Sequence, residues 1–254
     1  EVSIQPTDLH RRADIREVLN YRYPMRGARV WLGNEMPFNI SMLCAIHKEL
    51  MQGVSGKKKR PGELRKEQNW IGPKNCSMEE AYFVPPEPPG IHDHLKNLIS
   101  FLKQNDQEVL IQSAIFHAQF EMIHPFLDGN GRTGRIVIPL FLWYKKRISS
   151  PTFYISEFFE ENRDEYINSL NNISQHNSWE RWIVYFLKAI NTQANRNAEK
   201  AIQVINLYKD MKTRITEISH SPYAINILDT MFSMPIFRKS DFVRNSKIKS
   251  NTVY

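Results

Sequence analysis

Apolar residues along this chain recur mostly at three- and four-residue spacing, and strict alternation is scarce. That pattern predicts a mainly α protein. Ile15, Val18 and Leu19 mark a first helix, capped by Thr7-Asp8 and ended by Pro24. Leu43, Ile46 and Leu50 share one face of a second, over Asn39–Met51. Gly53, Gly56 and the run Lys57-Lys58-Lys59-Arg60-Pro61-Gly62 read as a loop. Two short aromatic runs follow, Asn69-Trp70-Ile71-Gly72-Pro73 and Ala81-Tyr82-Phe83-Val84-Pro85-Pro86. They flank a polar turn and predict a small β-hairpin, stopped by the paired prolines. Helical spacing resumes over His92–Lys103, Gln107–Ile123, Thr133–Lys146, Ser156–Ile173, and from Ser178 to Asn206 or beyond.

His220-Ser221-Pro222 breaks the pattern again. A helix over Tyr223–Phe232, a Met234-Pro235 turn, a short helix near Lys239–Arg244 and Ser250-Asn251-Thr252 come next. Their order is that of the front half of a helix-turn-helix, so a partial winged-helix-like segment is expected, with a recognition helix to follow. Three regions are therefore expected: 1–192, a connecting helix over 193–220, and 221–254.

Composition narrows the function. The chain has 254 residues, 41% of them hydrophobic and 24% charged. That is enough apolar material for a core and too much for a disordered chain. Lys and Arg outnumber Asp and Glu by 34 to 27, a formal charge of +7, which suits a partner bearing phosphates. The longest apolar run, Ile136–Tyr144, is interrupted by Pro139 and is too short to span a membrane. The opening residues Glu1-Val2-Ser3-Ile4-Gln5-Pro6 lack the basic and apolar runs of a signal peptide and start without Met, so residues upstream are expected. Cys44 and Cys76 form no C-x-x-C, which favours a reduced, cytoplasmic setting.

Candidate chemistry is concentrated in one stretch, His124-Pro125-Phe126-Leu127-Asp128-Gly129-Asn130-Gly131-Arg132-Thr133-Gly134-Arg135. It puts an imidazole, a carboxylate, three glycines and two guanidiniums between two predicted helices. Gly129 and Gly131 let backbone N–H groups approach a ligand. The following helix directs its N-terminal N–H groups and positive dipole end at the turn, and Arg132 and Arg135 add charge, so an anion site is expected. Asp128 belongs in such a site if it holds a divalent cation against phosphate oxygens. His124 is placed to take a proton from a hydroxyl. A rival uses His117, Glu121 and His124 on one helical face, with Glu-x-x-His pairs at Glu121/His124 and Glu217/His220, as in di-iron bundles. It leaves the glycines and arginines without a role.

The same stretch resembles the H-P-F-x-[D/E]-G-N-G-R-x-x-R signature of the Fic family at every fixed position. Asp14–Tyr21, Pro61-Gly62-Glu63-Leu64-Arg65, Asn69-Trp70-Ile71-Gly72 and Phe83-Val84-Pro85-Pro86 are similar to its upstream blocks. Glu161–Tyr166 and Trp179-Glu180-Arg181-Trp182 are similar to its downstream blocks. The resemblance covers about three quarters of the chain.

It implies a Fic-type helical core with a small β-hairpin flap, and a nucleotidyltransferase that moves AMP from ATP to a Ser, Thr or Tyr hydroxyl of a target protein, including the chain itself. By this resemblance His124 is the general base and Asp128 binds Mg²⁺. Gly129, Asn130, Gly131, Arg132, Thr133, Gly134 and Arg135 hold ATP, with Tyr166 at its nucleoside end, where the family often has Tyr-Tyr and this chain has Tyr166-Ile167. Phe126 anchors the loop in the core. Trp70, Ile71 and Gly72 belong to a flap that clamps the target by strand pairing.

Many relatives carry an inhibitory [S/T]-x-x-x-E-[G/N] helix. Ser156 and Thr213 each have Glu four residues on, but Glu161 and Ile218 follow those glutamates, so neither segment fits. The inhibitory segment is expected upstream of residue 1 or on a partner. A second functional class, a DNA-associated regulator with a nucleotide-sensing Fic site, rests on the tail. Phe237–Tyr254 carries Arg238, Lys239, Arg244, Lys247 and Lys249 against Asp241. Transfer of another phosphate-bearing group and assembly as a homodimer are also compatible with the sequence.

Overall fold

The computed structural model describes residues 23–52, 59–73, 75–104, 107–234, 239–246 and 248. Two compact units divide the chain, one running to Ala194 and the other from Asn195. The predicted helix around Ile15–Leu19, the glycines 53 and 56 with Lys57 and Lys58, and Ser250-Asn251-Thr252 lie outside the described residues.

In the first unit α1 covers described residues 23–33 and buries Ala28 and Leu32, one turn apart. Pro24 stands in the first described turn of this helix, a position proline tolerates, and the residues before Tyr23, where the helix it was expected to end would run, lie outside the described residues. Helix α2 (Ile40–Leu50) starts where the Asn39 side chain accepts from Met42 N at 2.9 Å. It buries Met42, Leu43, Ile46, His47 and Leu50. Helix α3 (Ile91–Lys103) follows a 3₁₀ turn at Pro88–Gly90.

The centre is α4 (Val109–Ile123) and α5 (Asn130–Tyr144), joined by the turn that starts at His124. Both helices are apolar on nearly every side, as befits elements surrounded by other helices. Gly134 leaves room for α4 side chains to pack against α5. A Cβ there would lie 2.5 Å from Glu121 Oε1 and 3.1 Å from the Phe120 ring. The fully buried Phe116, Phe120, Phe126, Phe141, Trp182 and Phe186 fill the core, and Trp182 Nε1 donates to the Ala114 carbonyl at 2.8 Å.

The single helix expected over Ser156–Ile173 is two, α6 (Ser156–Glu161) and α7 (Arg163–His176). Asn162 breaks it at φ −117° and ψ 38°, its side-chain amide bonded to the Phe158 carbonyl. Asn competes with the helix through such local bonds, which apolar spacing does not register. The hairpin is also reduced. Among the described residues its arms meet at one antiparallel bridge, Ile71 to Phe83, with Ile71 N–Phe83 O at 2.9 Å and Phe83 N–Ile71 O at 3.1 Å.

Helix α8 (Trp179–Ser219) contributes Trp182, Tyr185, Phe186 and Ala189 to the first unit's core. In the second unit α9 (Ala224–Ser233) and α10 (Lys239–Ser246) bury Ala224, Leu228 and Phe242, and the Tyr208 hydroxyl donates to Asp229 at 2.6 Å. No helix among the described residues is long and apolar enough to cross a membrane.

Candidate active site

Helix α4 ends abruptly. His124 takes a left-handed conformation, φ 48° and ψ 59°, and its N–H closes the last turn onto Phe120 O. Gly129 is left-handed too, at φ 79°, where the absence of Cβ is needed. A Cβ there would also press on Met51 Sδ at 2.8 Å. Between them the Asn130 side chain bridges the loop, accepting from Phe126 N at 2.8 Å and donating to Phe126 O at 2.7 Å. Thr133 is buried and its hydroxyl donates to Gly129 O at 2.9 Å. These bonds tie the turn together within the chain itself.

His124 donates from Nδ1 to the Glu121 carbonyl at 3.2 Å. A carbonyl only accepts, so Nδ1 carries the proton and Nε2 keeps its lone pair. Burial, with the Arg65 charge adding to it, lowers the imidazole to a pKa of about 4, so the ring is neutral at pH 7.

A cavity of about 440 Å³ opens beside His124. Of the candidate site residues named from the sequence, Ile71, His124, Gly131, Arg135 and Tyr166 line it, as does Glu121 of the rival metal reading. Arg135 Nε donates to Ser156 Oγ at 3.1 Å. The Tyr166 hydroxyl sits 3.0 Å from His117 Nε2. Asp128, Gly129, Asn130, Arg132, Thr133, Gly134, Trp70 and Gly72 are not among the lining residues. Asn130, Thr133 and Gly134 instead hold the turn and the α4–α5 contact. Arg132 contacts Met51 Sδ at 3.3 Å and lies 3.9 Å from Asp128 Oδ1. Asp128 is half-exposed, and its Oδ1 accepts from Gly129 N at 2.7 Å. Trp70 is exposed, with Nε1 bonded to Cys76 O.

Glu121, at the cavity wall, and His117 are both buried, 4.0 Å apart. Burial, reinforced by Arg135, lowers His117 to about 3. Burial raises Glu121 to about 7, opposed by Arg135. His117 bonds Tyr166, and no group of three His, Cys, Asp or Glu residues able to hold a metal occurs among the described residues.

Residues 37–142 match the Fic/DOC family. The chain is similar to this family over that segment. It is 35% identical over 91 residues to a probable protein adenylyltransferase of Aquifex aeolicus, a match covering 35% of this chain and 26% of that protein. It is 31% identical over 86 residues to a protein adenylyltransferase of Caenorhabditis elegans, covering 32% and 15%. The alignments thus span about a quarter or less of these relatives. A Fic family protein from Desulfovibrio desulfuricans shares the fold at TM-score 0.62 and 18% identity, over 94% of this chain and 65% of that one.

Two residues important to the Fic/DOC turn carried no role in the sequence reading. His47 stacks on Phe126 and bonds Asp128 O, and Arg65 bonds the His124 carbonyl. A polar His on the apolar face of Leu43, Ile46 and Leu50 was the available signal for the first. Arg65 stood inside a block that resembles the family, without a role of its own.

Proposed function

We propose that this chain is a protein adenylyltransferase, moving AMP from ATP to a Ser, Thr or Tyr hydroxyl. The observation that carries the reading is His124, a neutral imidazole with Nδ1 committed to a carbonyl and Nε2 unprotonated, beside a cavity shared with Arg135. Nε2 takes the acceptor's proton. The hydroxyl oxygen then bonds to the α-phosphorus, the bond from that phosphorus to the bridging oxygen of the β-phosphate breaks, and pyrophosphate leaves.

Arg135 and the N-terminal end of α5 offset phosphate charge, with Arg132 alongside. The exposed carboxylate of Asp128 suits Mg²⁺, which takes one or two protein carboxylates and otherwise phosphate and water oxygens. Bound there, Mg²⁺ would supply charge neutralisation on the phosphates. Ile71, Tyr82 and Phe83 line the cavity rim, and the backbone beside their short bridge is suited to pairing with an extended target segment. Tyr166, which lines the same cavity, supports the nucleoside.

The test is incubation of the purified chain, alone and with lysate, with Mg²⁺ and ATP labelled in turn at the α- and γ-phosphate. Covalent α-label with no γ-label is expected. γ-label on protein would replace the reading with phosphoryl transfer.

A further inference from the structure

Arg65 is 2% exposed, yet among the described residues no carboxylate is a hydrogen-bond partner of it. Its whole guanidinium is spent on main-chain carbonyls. Nε donates to His124 O at 2.8 Å, one terminal nitrogen to Glu67 O at 3.2 Å, and the other to Pro86 O and to Ile123 O at 3.4 Å. Its own N–H donates to Pro125 O at 2.9 Å. Ile123 and His124 are the C-terminal end of α4, where carbonyls lack helical partners and the dipole is negative. Among the described residues, that helix end and the roots of the two arms together compensate this buried cation.

The neighbours extend the same bracket. Gln68 Nε2 donates to Pro85 O at 2.8 Å, and Asn69 Nδ2 to Phe126 O at 3.1 Å. Both arms of the flap and the turn bearing His124 thus meet at one side chain. His124 is held in a left-handed conformation that is unfavourable for a residue with a Cβ, so something must fix it. The fork geometry of a guanidinium can reach these carbonyls together; an ammonium is a single point and cannot.

From this geometry we infer that Arg65 is a positioning residue for the transfer reaction, locking the His124 main chain so that the imidazole holds one tautomer and setting the flap at a fixed distance from it. The inference rests on the adenylyltransferase reading for its effect on rate, and on geometry alone for its effect on the imidazole.

The experiment compares the wild-type chain with Arg65→Lys, which keeps the charge and most of the volume. Turnover in α-labelled AMP incorporation is expected to fall about 100-fold, the usual cost of a catalytic group displaced by roughly 1 Å. The ATP dissociation constant by titration calorimetry should stay within about threefold. The second measurement needs no activity. Long-range proton–nitrogen NMR of the histidine rings, with His124 assigned by its loss in His124→Gln, should show Nδ1–H for the wild type and an averaged tautomer for Arg65→Lys. Turnover within threefold of wild type, or loss of turnover and ATP binding together, overturns the inference. So does an unchanged His124 tautomer, even if the wild type itself labels nothing; that last result separately sinks the adenylyltransferase reading.

Discussion

The ring of His47 lies flat on the ring of Phe126, centroids 3.8 Å apart and planes 3° apart. His47 Nδ1 accepts from Gly62 N and its Nε2 donates to Asp128 O, both at 2.8 Å. A protonated ring would turn Nδ1 into a donor facing a donor. Burial, with the nearby Arg132 charge, accordingly lowers this imidazole's pKa. The loop between His124 and Gly129 is thus clamped from α2, outside the motif. His47→Leu should keep the packing and lose both bonds, lowering stability by about 2 kcal/mol. Urea unfolding measures that, and calorimetry should show ATP binding weakened about tenfold, equivalent to about 1.4 kcal/mol.

His124→Ala should abolish AMP incorporation, by at least about 100-fold, because general-base catalysis contributes about 10²–10⁴. ATP affinity should remain within a few-fold, since phosphate placement falls to Arg135 and the α5 end. Simultaneous loss of binding in calorimetry would make His124 a structural residue.

Asp128→Ala and Arg135→Ala should both lower turnover, but for different reasons. Only the Asp128 change should shift the Mg²⁺ concentration that gives half-maximal rate. Superimposable Mg²⁺ titrations of the two variants would remove Asp128 from the metal site.

Glu121 gives a prediction about acidity. Its folded pKa is raised by burial to about 7 from an ordinary value of 4.5, and Oε1 has no hydrogen-bond partner among the described residues. The folded state therefore binds a proton that the unfolded chain has released. Its contribution to stability is fully present below pH 4.5 and is lost as pH rises through about 7. Glu121→Gln removes that loss. The stability difference, variant minus wild type, should grow from pH 4.5 to pH 7 and then level off. Melting temperatures across that range read it directly; a flat difference means the carboxyl is ionised in the fold.

The turn from His124 to Arg135 was legible because its groups are contiguous in sequence and chemically distinctive. Arg65 and His47 were not, since their partners are main-chain carbonyls 59 and 81 residues away, and a carbonyl has no letter in the sequence. The same limit explains the helices. Apolar spacing located α2, α3, α4 and α5, because each buries a continuous face. It passed over the break at Asn162, where one side-chain bond to Phe158 O outweighs a spacing that runs on through Ile173. The two aromatic runs expected to form a hairpin meet, among the described residues, at the single bridge of Ile71 and Phe83, a matter of register that short aromatic runs do not specify.

The left-handed backbone at His124 has a practical consequence for capturing the acceptor protein. An inert enzyme that still holds its acceptor must lose the imidazole without disturbing the turn. Alanine at φ 48° carries the cost of a left-handed residue, about 1–2 kcal/mol, with no side-chain bond in return. Asparagine, like histidine, is enriched in that conformation and keeps a polar side chain at the mouth of the cavity. His124→Asn, loaded with ATP, is accordingly the better bait.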